Sequence, residues 1–174
     1  KNSLEAKDTL SLAKAYAYKG DYFGTRLISD SAFLNYYKSE KLYLIKNDLY
    51  NVARTRLNKA NLQYAESDLL GSEKSVFNAL RILKYQKAND LLYELYNLLG
   101  ILYNELEEYD KSIDYHTKAL ANATDDKIPS VYQSRATSLN NIGYVYQNLK
   151  NYQKAQEYYQ EGLRQKNLKY DKPS

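Results

Sequence analysis

A six-residue step between tyrosines recurs along this chain, from Tyr103 to Tyr109, from Tyr146 to Tyr152 and from Tyr16 to Tyr22. The surroundings recur with it. Gly100, Tyr103, Tyr109, Ser112 and Ala119 follow at offsets of 3, 6, 3 and 7 residues. Gly143, Tyr146, Tyr152, Ala155 and Gly162 repeat those offsets, as do Ala13, Tyr16, Tyr22, Thr25 and Ala32. A period of this length is the mark of a repeat architecture, in which each unit buries its apolar face only against its neighbours.

The unit itself reads as two helices. Apolar residues at Leu95, Leu98, Leu99, Leu102, Tyr103 and Leu106 fall at spacings of three and four, as an amphipathic helix requires. Leu99-Gly100 and Ile142-Gly143 stand mid-helix, where glycine costs roughly 1 kcal/mol relative to alanine. A cost repeated at one register predicts a close approach by the partner helix. Small Ser112, Ala119, Ala155 and Gly162 are expected toward that contact, with tyrosines filling the wider gaps. Glu107-Glu108-Tyr109-Asp110 and Lys150-Asn151-Tyr152 read as tight turns, with the next helix starting near the tyrosine.

At these residues the chain resembles the tetratricopeptide repeat family. Leu139 to Tyr146 with Tyr152 to Ala155 carries that signature, and Tyr96 to Ala119 carries it with serine at Ser112. The unit around Thr9 to Ala32 keeps the spacing but has Ala13 at the glycine. The unit from Arg56 to Leu83 is degenerate: Leu62 and Ser75 fit, while Gln63 and Glu66 replace glycine and tyrosine. The resemblance implies an all-α fold, a right-handed superhelical solenoid of antiparallel helix pairs. We expect one domain over residues 1–174 with four repeats near 6–38, 41–88, 90–123 and 129–167. Gly100 and Gly143 are 43 residues apart, against about 34 for the standard repeat, so the helices should be lengthened. Pro129 suits the first turn of a helix after the loop Asp125-Asp126-Lys127-Ile128. Long repeats of this kind are similar to those of bacterial sensor proteins and cytoplasmic peptide-pheromone receptors.

Composition limits the function class. With 6 Gly and 2 Pro there is little room for long loops, and with no Cys there are no disulfides or thiol chemistry. No segment reads as a membrane span or a signal peptide. The lack of Met and of a polar capping helix predicts a piece of a longer protein, with Lys172-Pro173-Ser174 a connector. The net charge is +4, but residues 90–126 hold nine acids against two bases and interrupt any basic stripe. Phosphate tracking needs such a stripe, which argues against nucleic acid as the partner. The single histidine, His116, stands where the family places an aromatic and reads as packing. No nucleophile, metal or phosphate-loop pattern is present in the sequence, so neither enzyme activity nor a cofactor is expected.

The candidate site is the face of the first helices, which the family uses for extended partners. Its residues are Asn61 and Tyr64 in the second unit, with Asp68 beside them, and Asn97, Ile101 and Asn104, with Glu105, in the third. The fourth unit adds Asn140, Asn141, Tyr144, Gln147 and Asn148, and the first adds Lys14 and Tyr18. A primary amide offers donor and acceptor together, which suits a peptide backbone. Cations are few here, so a carboxylate clamp is not expected, and a neutral or basic partner segment is. Two roles follow from different classes: the sensory or regulatory input domain of a signalling protein, or a passive assembly scaffold. Self-association through a terminal helix exposing Tyr158, Tyr159 and Leu163 is a third expectation.

Overall fold

The computed structural model describes residues 2–124 and 129–167, with side chains from 8 to 124 and from 132 to 167. The predicted loop at 125–128 and the connector at 172–174 lie outside the described residues. Among those described there are eight helices and no strand: α1 (Asn2–Gly24), α2 (Ser29–Ile45), α3 (Leu49–Ala65), α4 (Leu69–Leu83), α5 (Asn89–Glu105), α6 (Tyr109–Asn122), α7 (Pro129–Asn148) and α8 (Tyr152–Asn167). Pro129, Tyr109 and Tyr152 open their helices as the sequence predicts. No described helix is long and apolar enough to cross a membrane. The chain divides into two compact units, Lys1–Ala88 and Asn89–Ser174, where the sequence led us to expect one domain. Each unit holds two helix pairs.

The turns set the repeat frame. Leu27, Asn47, Ser67, Glu107 and Lys150 have φ between 52 and 62°, and each closes the preceding helix in the same way. At Ser67 the amide bonds Tyr64 O at 2.9 Å, and the next amide, of Asp68, reaches back to Gln63 O at 2.8 Å. Glu107 with Glu108 and Lys150 with Asn151 make the same two bonds. This is the left-handed cap that glycine usually fills. Asp48, Asp68 and Asn151 then cap the following helices, accepting from the amides of Asn51, Gly71 and Lys154. Asp68 is therefore a cap of α4, not a member of the first-helix face.

Counting from these turns corrects two registers. Seven residues before the left-handed residue stand Gly20, Ala60, Gly100 and Gly143; five after it stand Ala32, Ser72, Ser112 and Ala155. In the first pair the glycine is thus Gly20, and Ala13 is two helical turns too early. In the second pair the equivalents are Ala60 and Ser72, not Gln63 and Ser75. The hydrogen bonds agree: Ser72 Oγ donates to Ala60 O at 2.8 Å, and Ser112 Oγ to Gly100 O at 2.7 Å. Successive helix pairs step by 40 residues in the first unit and into the third pair, then by 43.

The close approach has a single cause. A Cβ on Gly20 would lie 2.5 Å from the Tyr36 ring, one on Gly100 would lie 2.5 Å from the His116 ring, and one on Gly143 would lie 2.8 Å from the Tyr159 ring. All three rings are nine residues past their turn. Where that place holds the smaller Val76, the facing residue is Ala60. By register, valine and alanine stand there in place of ring and glycine, as close packing of the contact would allow. Leu99, Tyr103, Ser112, Ala119, Ile142 and Ala155 are buried as expected, but Tyr152 is 66% exposed and Tyr109 only half-buried. In these two steps the second tyrosine opens a helix and fills no core gap, whereas Tyr22 lies in the last turn of α1.

Candidate binding face of the first helices

In the second unit the amides predicted as a binding face are bonded to one another. Asn141 Nδ2 donates to Asn97 Oδ1 at 2.9 Å, and Asn148 Nδ2 to Asn104 Oδ1 at 3.0 Å. These bonds join α5 to α7. Asn97 Oδ1 also lies 3.1 Å from His116 Nδ1. Because that oxygen only accepts, the imidazole carries its proton on Nδ1 and donates. One amide oxygen thus joins α5, α6 and α7. His116 is 2% exposed, and burial lowers its pKa to about 4, so it is neutral at ordinary pH. Its reading as a packed aromatic agrees with this geometry. Gln147 accepts from Tyr159 Oη at 2.9 Å, and Asn140 Oδ1 packs on Gly162. Ile101 is half-buried, and Tyr144 is exposed. At the third proposed contact, Leu163 is exposed while Tyr158 stacks on Tyr146.

In the first unit the same face opens into two hollows between α1 and α3. The first, of about 410 Å³, is lined by Lys14, Ala17, Tyr18, Asp21, Asn51, Arg54, Thr55 and Asn58, with Tyr43 beneath. The second, of about 330 Å³, is lined by Asp21, Gly24, Thr25, Tyr36, Asn58, Asn61, Leu62 and Ala65. Asp21 and Asn58 border both. Asp21 Oδ1 accepts from Asn58 Nδ2 at 2.8 Å and from Tyr36 Oη at 2.9 Å. Burial, then the Asp21 charge, holds the Tyr36 phenol well above its ordinary range. At the far end Arg54 donates to Tyr50 Oη at 2.9 Å.

Behind this face an ion triad ties α2 to α3. Glu40 accepts from Arg56 at 2.8 Å and from Lys59 at 2.5 Å. Burial pushes its carboxyl up, but the hydrogen bonds from Lys59 and Arg56 outweigh that, and its pKa is lowered. Asn61, Lys14 and Tyr18 were legible in the sequence as members of the open face; Tyr64 is half-buried at the end of α3. Asp21, Arg54 and Asn58 were missed, because the first two registers were wrong. The signal was present: Gly20 precedes Gly100 by two steps of 40.

Two sequence profiles of the tetratricopeptide repeat match, one over residues 95–129 and one over 136–167. No curated protein matches the chain significantly in sequence. Among solved structures the chain resembles BtubC (BKLC) from P. vanneervenii, with a TM-score of 0.77 at 20% identity over 94% of this chain and 66% of that one. The chain thus spans just under two thirds of that relative. It also resembles the MamA protein, with a TM-score of 0.51 at 18% identity, covering 94% of this chain and 97% of that one. At these identities the likeness concerns the fold. The two matched repeats, and the turn frame that carries the same glycine-and-ring packing back to Gly20, place this chain in the tetratricopeptide repeat family.

Proposed function

We propose that the chain is a peptide-binding helical-repeat module whose groove is the α1–α3 face. The observation that carries this is the contrast between the two first-helix faces. The α5–α7 face spends its amides on itself through Asn97, Asn104, Asn141 and Asn148. The α1–α3 face keeps two hollows with Asn61 at the rim of one. Repeat surfaces of this kind bind extended partners.

The test is binding of the intact chain to an array of short random-sequence peptides. Ala65→Leu puts an apolar side chain into the second hollow from an exposed helix end and leaves the core untouched. It is expected to abolish binding with unchanged helicity, whereas Asn140→Ala is expected to leave binding intact. Equal binding by Ala65→Leu would remove the groove from the site.

The finer role we propose is a sensory or regulatory input domain of a signalling protein, a histidine kinase or a transcriptional regulator. Its support is the similarity of these long repeats to those of bacterial sensors; the alternative is a passive scaffold. Hydrogen exchange decides between them. Slowed exchange in α2 and α4, which do not line the bulk of the groove, would accompany a switch. Protection confined to α1 and α3 would leave the scaffold.

A further inference from the structure

Among the described residues that line the α1–α3 groove, one carries a carboxylate, and its place in the repeat sets it apart. Asp21 lies six residues before its turn, where the other first helices hold Asn61, Ile101 and Tyr144. Three residues before the turn, Gly24 stands where they hold Tyr64, Asn104 and Gln147. The second hollow opens over that glycine, against a wall of Tyr36, Leu62 and Ala65. A Cβ on Gly24 would sit 3.3 Å from Tyr36 Oη, so a side chain there would narrow the hollow at its polar edge.

The carboxylate is held by one oxygen. Asp21 Oδ1 accepts from Asn58 Nδ2 at 2.8 Å and from Tyr36 Oη at 2.9 Å, which occupies both of its lone pairs. Burial, and then the charge of Asp21 itself, keep the Tyr36 phenol protonated and donating. Oδ2 takes no hydrogen bond from the described residues. Two further groups line the same hollow. Thr25 gives its hydroxyl proton to Tyr22 O at 3.1 Å, and Asn58 is tied down through its nitrogen, so each keeps an oxygen with which to accept. Lys14 and Arg54 line the first hollow; among the described residues no Lys or Arg lines the second.

We infer that the second hollow is the subsite for a lysine side chain of an extended peptide, an inference that rests on the peptide-binding reading above. The methylene stem lies on Leu62, Ala65 and the Tyr36 ring, as long basic side chains lie along apolar surface. The ammonium meets Asp21 Oδ2. An ammonium suits this carboxylate better than a guanidinium does. The fork of an arginine needs both carboxylate oxygens, and Oδ1 is already taken. An ammonium is a point charge with three donors, to be shared among Oδ2, Thr25 and Asn58. The expectation of a neutral or basic partner thus narrows to lysine, on residues of the first two repeats rather than the acidic third.

The experiment uses three pools of acetylated, amidated, fluorophore-labelled nonapeptides. Their central residue is Lys, Arg or norleucine, and the other positions are random without Lys or Arg. Polarisation is read on the intact chain. The Lys pool is expected to bind about tenfold more tightly than the norleucine pool, which keeps the stem without the charge, and about threefold more tightly than the Arg pool. Asp21→Asn keeps the oxygen that Tyr36 and Asn58 bond and removes the charge; circular dichroism checks its fold. It is expected to bring the Lys and norleucine pools level. If that variant loses helicity, Gly24→Asn carries the test, since a side chain at the polar edge is expected to bring the Lys-to-norleucine ratio toward one. A ratio near one on the unaltered chain, with binding retained, would overturn the lysine subsite and leave the groove. A ratio that survives Asp21→Asn, or an Arg pool that binds as well as the Lys pool, would also overturn the assignment. Cadaverine displacing the Lys pool as effectively as an unlabelled Lys pool would make a free diamine the ligand, against the proposal. No binding of any pool or of the random array would overturn the groove and the subsite together.

Discussion

The two units are built alike and finished differently. Unit 2 advertises its repeats: Gly100 and Gly143 meet rings, Leu91, Leu95, Leu99 and Leu102 are at most 1% exposed, and the first helices are bonded by paired asparagines. Unit 1 keeps the turn, the step and the small-residue contact, and two small clusters stand in its core. One gathers Ala13, Tyr43 and Val52, and the other Ala32, Tyr36 and Leu62. Where unit 2 closes its first-helix face, unit 1 leaves it hollow. A scaffold defined by turns and by matched volumes tolerates this, because neither depends on what the exposed face carries. The packing is shared; the face is free to specialise.

The sharpest way to break the comparison is acid. Of the rings that lie on Gly20, Gly100 and Gly143, His116 alone is an imidazole, and it is the sole histidine in the chain. Buried, it titrates near 4 against an ordinary 6.5. As pH falls from about 6.5 the unfolded chain takes a proton that the folded chain refuses. Stability is therefore lost on the way down and the loss levels off below about 4. The full shift corresponds to roughly 3 kcal/mol, of which roughly 2 should be gone by pH 5. Urea unfolding at pH 7 and pH 5 measures it. His116→Tyr, which copies the residue at Tyr36 and Tyr159, should flatten the slope between those two pH values. Glu40 does not confuse the window: its lowered pKa places its own loss below the ordinary carboxylate range. A slope unchanged in the variant would mean that His116 is not the proton acceptor.

A second, smaller effect tests whether volume matching is what the units share. Gly100→Ala pushes a Cβ to 2.5 Å from a buried ring and should cost about 1–3 kcal/mol by overpacking. Gly143→Ala should cost less, since Tyr159 is half-buried and its ring can swing, although Gly143→Leu should not be accommodated. Converting Gly100 and His116 together to Ala and Val copies the Ala60–Val76 pair. The double variant should cost less than the sum of the singles, with a coupling of about 1 kcal/mol or more. Additive costs would make the resemblance between Ala60–Val76 and Gly100–His116 a coincidence of spacing.

What could be read in the sequence follows from these same contacts. The fold was legible in unit 2 because the glycine there is costly and so marks a register by itself. In unit 1 the eye is drawn instead to Tyr16 and Tyr22, which copy the six-residue step seven residues out of frame. Tyr22 is 53% exposed; the step it makes is not the packing step. Ala60 is silent in a sequence, as alanine is at home in any helix. The amides were correctly seen on the first helices, yet a sequence cannot tell an asparagine offered to a ligand from one that bonds the next helix. That distinction needs Asn97 and Asn141 to be 2.9 Å apart. The lining of the α1–α3 hollows was invisible for a plainer reason. Asp21 and Asn58 come together only once both turns are placed.

The turns give the smallest and most even-handed test. Among the described residues, five non-glycine residues hold φ above 50°, a conformation that costs an L-residue roughly 1–2 kcal/mol. Glycine adopts it without that penalty but loses more chain entropy on folding. Replacing Leu27 in unit 1 or Lys150 in unit 2 by Gly should therefore raise stability by about 1 kcal/mol or slightly less. Leu27 is 67% exposed, so its side chain contributes little burial to set against the gain. Thermal unfolding of each variant reads the effect. Equal gains would mean that the two units rest on the same strained hinge, whatever their faces have become. A gain at Lys150 with a loss at Leu27 would show instead that the Leu27 side chain secures the α1–α2 turn, and that the units differ in their scaffold as well as in their surface.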